Sequence, residues 1–166
     1  MKQTEEIRTL RTETCNTLSG STKITYNISC TTDSKIYFRI SNNTGGGFYS
    51  NEWVAWDAIQ QALKQCPKDV PITSLFLYPL FKGKSVNTPS FLLAALKHLK
   101  LVQPLKDKKR NHELLDFKPF NEEMKAMMSS KVAMHVAKKK AANKKPSTTK
   151  KKTSAVSRHK KKKVSA

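Results

Sequence analysis

The 166-residue sequence predicts an α+β fold that opens with a β-hairpin and ends in a disordered basic tail. Three observations point there. Ile24, Tyr26, Ile28 and Cys30 alternate with polar residues, and Ile36, Phe38 and Ile40 do so again after Thr31-Thr32-Asp33-Ser34. That is the period-two pattern of half-buried strands about a turn. Two later stretches, 51–65 and 88–100, space their apolar residues by three and four, as amphipathic helices do. Finally, charge divides at residue 130: residues 1–130 hold 18 basic and 12 acidic side chains, whereas 131–166 hold 14 basic and none acidic. The net charge of +20 therefore splits into +6 and +14.

Each element follows from local chemistry. Residues 1–19 are polar apart from Ile7, Leu10 and Leu18, and a short helix is expected over the first dozen. The hairpin occupies 23–41. Gly45-Gly46-Gly47 then forms a flexible bend, because it lacks the spacing and the trailing Lys-Ser/Thr of a phosphate loop. Ser50 is the expected N-cap, with Glu52 near the positive helix end. Trp53, Trp56, Ile59, Ala62 and Leu63 should form the inward face of a helix over 51–65. A compact helix over 73–81 should be short or kinked, since Pro79 removes an interior hydrogen bond. Thr88-Pro89 starts the next helix, with Thr88 as N-cap and an apolar face of Phe91, Leu92, Ala95, Leu96 and Leu99. Strands are expected over 101–105 and 114–117, flanking the polar segment 106–113. Asn121-Glu122-Glu123 caps a last helix over 121–137, with Met124, Met128, Val132 and Val136 spaced by four. Beyond it, Lys, Ala, Ser and Thr bury too little surface to offset their ordering entropy, so 138–166 should be disordered.

Several function classes find no support. No apolar run approaches the roughly 18 residues that span a bilayer. The polar start lacks the apolar stretch of a secretory signal. Cys15, Cys30 and Cys66 form no CxxC pair, and their odd number argues against a disulfide framework. The four histidines sit at no metal-ligand spacing. No nucleophile, base and acid stand together. The expectation is a soluble intracellular protein that is not an enzyme, with no metal, no cofactor, no small-molecule substrate and no membrane contact.

Three helices, the last two joined by a short turn, precede a two-stranded hairpin with a charged tip. This order, over about 50–118, resembles a winged-helix domain. The resemblance implies that 88–100 takes the place of the recognition helix and 106–113 that of the wing. The leading hairpin lies outside the minimal pattern, and either extends the sheet or offers a separate interaction surface. The run Lys138-Lys139-Lys140-Ala141-Ala142-Asn143-Lys144-Lys145-Pro146 is similar to the tails of linker histones and of bacterial histone-like proteins. Linker histones also join a winged helix to such a tail. The expected organisation is thus a globular winged-helix-like domain over 1–120, a C-terminal helix over 121–137 and a Lys-rich tail over 138–166.

Candidate nucleic-acid contacts follow. In the tail they are Lys138, Lys139, Lys140, Lys144, Lys145, Lys150, Lys151, Lys152, Arg158, Lys160, Lys161, Lys162 and Lys163. Over 131–166 lysine outnumbers arginine 13 to 1, which favours diffuse phosphate neutralisation over bidentate recognition. At the wing, Lys106, Lys108, Lys109, Arg110 and His112 could lie along a groove, with Arg110 best suited to a minor groove. Around the helix start, Thr88 and Ser90 with Lys82 and Lys84 suit a phosphate, and Lys97 faces outward. Only Asn87 belongs to the residue types that read base edges, so sequence preference should be weak. Tyr37 and Arg39 share an outer strand face; they could stack on unpaired bases or be ordinary sheet surface. Trp53 and Trp56 are expected in the core, and Met124, Met127 and Met128 as packing or as a helix partner. The expected partner is duplex DNA, with RNA as runner-up and a protein partner through the hairpin or the Met-rich helix as a third class. Localisation would be cytoplasmic and nucleoid-associated, or nuclear in a eukaryote.

Overall fold

The computed structural model describes residues 7–81, 83–106 and 108–130, the Lys109 side chain excepted. The chain is α+β. Strands β1 (Arg8–Asn16), β2 (Lys23–Cys30), β3 (Ile36–Asn43) and β4 (Val54–Ala55) form an antiparallel sheet in sequence order. Helix α1 (Trp56–Lys64), a 3-10 segment (Ser74–Phe81) and helix α2 (Thr88–His98) follow. A hairpin of β5 (Val102–Leu105) and β6 (Lys108–Leu114) precedes helix α3 (Lys118–Ser129).

The expected hairpin is present as β2 and β3, and it is the centre of a larger sheet. Ile24, Tyr26, Ile28 and Cys30 of β2 and Phe38 and Ile40 of β3 are buried on one face. The turn closes with Ser34 at φ 62°, its N–H donating to the Thr31 carbonyl at 3.0 Å. The first dozen residues are not helical where described: Arg8–Asn16 is a strand, paired from Arg8↔Cys30 to Asn16↔Lys23. Thr9, Thr12 and Thr14 are β-branched and suit a strand. The hydrogen bonds that decide the matter come from β2, a partner that local spacing does not reveal.

Helix α1 starts five residues later than expected. Val54 and Ala55 pair with Phe38 and Tyr37, so the backbone N–H groups there serve the sheet. Ala55 takes the N-cap position, while the Ser50 hydroxyl donates to Glu52. Trp53 is consequently outside the helix and half-buried, away from the core position expected of it. Trp56 is 3% exposed. It packs on Phe38 at 5.5 Å and on Phe117 and Phe120 at 5.1 Å each, and its indole N–H donates to Asn121 Oδ1 at 2.9 Å. The segment containing Pro79 is a 3-10 helix, the tight form compatible with the expected shortness.

Helix α2 starts at Thr88-Pro89 as expected, with Asn87 rather than Thr88 at the N-cap position. Its five consecutive residues Leu92 to Leu96 are all 3% exposed or less. Such a helix is surrounded by protein, against the sheet, the 3-10 segment and β5. It cannot lie in a DNA groove along that stretch, which corrects the recognition-helix expectation.

The hairpin also differs. Strand β6 is the polar run Lys108–Leu114 itself, with Leu105 opposite Lys108, so only residues 106 and 107 connect the strands. Alternation marks a strand with one face on the core; most of β6 stands in water and carries no such mark. His112 is the exception. It is 0% exposed, and its backbone exchanges two 2.8 Å hydrogen bonds with Ile72.

Helix α3 begins three residues before 121, after Asp116 Oδ1 accepts from the Lys118 N–H at 2.9 Å. Phe120 and Met124 are buried in the core, so this helix belongs to the domain and is no separate element. Its expected continuation to 137, with Val132 and Val136, and the expected disorder of 138–166 lie outside the described residues. No helix among the described residues is long and apolar enough to cross a membrane.

Candidate nucleic-acid interface

The expected phosphate site at the start of α2 is not assembled. Thr88 is 1% exposed and its hydroxyl accepts the Ser50 N–H at 2.8 Å, so it is out of reach of a ligand. The Asn87 amide donates to the Phe48 carbonyl at 3.0 Å and is spent on holding the loop. Lys84 is exposed but paired with Glu52, whose carboxylate opposes an anion at this spot. Ser90 is half-buried, and its N–H donates to the Asn87 carbonyl at 3.0 Å. Lys82 lies outside the described residues. Sequence spacing could not show that Thr88, Asn87 and Lys84 are already engaged by protein partners.

The β5–β6 hairpin is different. Lys106, Lys108 and Arg110 are all exposed, and none has an ion-pair partner among the described residues. Lys108 and Arg110 alternate on one side of β6, which carries two cations in register along an edge. Lys109 lies in the same strand. Glu113, the carboxylate nearest in that strand, is engaged by the Gln103 amide at the other end of the hairpin. Lys97 is exposed at the end of α2. The tail positions Lys138, Lys139, Lys140, Lys144, Lys145, Lys150, Lys151, Lys152, Arg158, Lys160, Lys161, Lys162 and Lys163 lie outside the described residues. No protein-family model, curated protein or solved structure matches the chain.

His112 was expected among the wing cations and is instead a neutral core residue. Burial pushes its pKa down and the Lys97 charge adds to the lowering; the nearby Arg110 and Ile72 backbone pulls weakly the other way without a geometrically formed hydrogen bond to the ring. Both ring nitrogens lack a partner among the described residues. With a folded pKa below the ordinary 6.5, the unfolded chain takes up a proton that the native ring refuses. Stability is therefore full above that value and falls as the pH drops below it. Replacing His112→Phe removes no hydrogen bond and should change stability at neutral pH by less than about 1.5 kcal/mol. Urea titrations at about pH 7 and about pH 5 should show the acid loss of the parent over this range shrinking in the variant. An equal loss in both would contradict the assignment.

A second polar cluster, unsuspected in the sequence, joins β1, β2, α2 and α3. The Tyr26 hydroxyl lies 2.8 Å from both Glu13 Oε2 and His98 Nδ1. Arg11 binds Glu13 and reaches Glu123 at 2.8 Å. A hydroxyl has one hydrogen, so when Tyr26 donates to Glu13 the His98 Nδ1 must carry its own. Burial works against the Glu13 carboxylate, yet the Tyr26 and Arg11 hydrogen bonds hold its pKa below the ordinary value. Burial first, and Glu13 second, push the neighbouring Cys15 thiol up to about 11. The thiol stays protonated at neutral pH and is no nucleophile. The cluster's sequence separations, up to 112 residues from Arg11 to Glu123, explain why no local signal revealed it.

Proposed function

We propose that this protein binds duplex DNA with little sequence preference, as a nucleoid- or chromatin-type protein. The observation that carries the reading is the imbalance of 14 cations to no carboxylate over residues 131–166. Regularly spaced phosphate is the partner that such a segment suits, and each phosphate neutralised releases condensed counterions. The tail runs along the backbone; the domain adds the exposed Lys106, Lys108 and Arg110 of the β5–β6 hairpin. These contacts orient the protein and carry no base information. Weak preference is further supported by Asn87 being engaged with Phe48 and by the burial of α2.

A winged-helix-like arrangement is the finer proposal. Helix α1, the Ile72–His112 bridge, the 3-10 segment, α2 and the β5–β6 hairpin follow one another in the order that supports it. The buried α2 departs from the family's use of that helix, so the hairpin would be the domain's main contact. The site of action would be the nucleoid, or the nucleus in a eukaryotic host.

The test is charge reversal at the hairpin in the full chain. Lys108→Glu with Arg110→Glu should flatten the plot of log K against log[salt] on duplex DNA by about 2, near 0.9 per phosphate contact. Fluorescence anisotropy between about 50 and about 200 mM salt reads this directly. An unchanged slope removes the hairpin from the interface. Tighter binding to structured RNA than to duplex DNA would replace the reading with an RNA-binding one.

A further inference from the structure

We propose that the outer face of the four-stranded sheet is a second nucleic-acid site, which takes an unpaired base of a single strand against Arg39, Trp53 and Tyr37. This goes beyond duplex binding, while sharing with it the premise that the partner is a nucleic acid. The Arg39 guanidinium carbon lies 4.4 Å from the Trp53 ring centroid, a stack that holds the planar cation in place before any ligand arrives. The Arg39 side chain has no ion-pair or hydrogen-bond partner among the described residues, and its Nε is buried without one. Directly across the strand pair, Asn27 is 8% exposed and its Oδ1 is equally unpartnered.

The surroundings favour a polyanion that carries π-faces. Tyr37 is half-buried two residues along the same face of β3. The other outward positions of β1, β2 and β3 hold Thr, Ser and Asn, with Lys23 at one end and no carboxylate. An aromatic ring and a fixed guanidinium plane bind bases by stacking, tolerant of sequence because every base has a π-face. Duplex DNA hides those faces in its own stack. The ligand of this site is therefore single-stranded.

The decisive comparison uses the full chain with an oligothymidylate of about 12 nucleotides and an abasic oligomer of equal length and charge. The tail attracts both alike. The base-bearing strand should bind about tenfold tighter, the scale of one stacked base, and should quench Trp53 fluorescence. Trp53→Phe should abolish that quench and leave the buried Trp56 signal. Arg39→Lys keeps the charge but loses the plane, and should cancel the base-dependent advantage while duplex affinity holds. Tyr37→Leu gives an independent check should Arg39→Lys unfold by circular dichroism. Equal affinity for the two oligomers, or full retention of the advantage in Arg39→Lys, overturns the site and leaves duplex binding standing. Failure of every nucleic acid to bind in dilute salt overturns both.

Discussion

Ending the chain after Ser130 should weaken duplex DNA binding by at least about 100-fold at about 100 mM salt. The cut removes 14 of the 32 cations and lowers the formal net charge from +20 to +6. If about ten tail cations meet phosphates, the parent plot of log K against log[salt] should slope near −9, plus the share of the hairpin. The shortened protein should keep only that share, about −3 for Lys106, Lys108 and Arg110. Its thermal stability should be unchanged, because α3 ends at Ser129 and its buried residues Phe120 and Met124 are retained. Circular dichroism melts check the fold, and anisotropy at several salt concentrations checks the slope. Equal affinities for the two proteins would take the tail out of the mechanism, and with it the main support for DNA binding.

Replacing Trp56→Ala should destabilise the domain by about 3–5 kcal/mol, the range for emptying a buried large aromatic position. Trp56 touches Phe38 of the sheet, Phe117 before α3 and Phe120 within it. The indole also satisfies Asn121, whose carbonyl oxygen would lose its donor. Trp56→Phe retains much of the ring but strands that oxygen, so a smaller loss of about 1–3 kcal/mol is expected. Urea unfolding followed by circular dichroism separates the two, since the fluorescence reporter itself is changed. A single cooperative transition should persist, because one cluster holds sheet and terminal helix together. A loss below about 1 kcal/mol for Trp56→Ala would mean that the cluster can close over the gap.

The β2–β3 hairpin was legible because Ile24 to Cys30 and Ile36 to Ile40 alternate about a polar turn. The start of α2 was legible because Thr88-Pro89 is a local backbone signal. The 3-10 segment was foreshadowed by Pro79. Strand β1 is not legible, since its pattern is diluted by a bulge at Leu10 and by the Arg11–Glu13 pair on the inner face. Trp53 falls at helical spacing from Trp56 and so extends the expected helix, yet Val54 and Ala55 belong to the sheet edge. Strand β6 is not legible as a strand, because a hairpin standing mostly in water carries no apolar alternation.

For the candidate interface, residue type and charge density were available from the chain alone, and residue availability was not. Lys84 and Lys108 look alike in the sequence; one meets Glu52 and the other meets solvent. Thr88 and His112 look like polar surface and are 1% and 0% exposed. The amino-acid order by itself determined the α+β class, the central hairpin, the helix start at Thr88 and the concentration of cations after residue 130, because each depends on neighbours within a few positions. Which cations remain unpaired, which polar groups are buried, and that Arg39 rests on Trp53 were decided only by tertiary structure. Pairing and burial depend on partners tens of residues away, and free energies of that kind are settled by what the folded chain brings into contact.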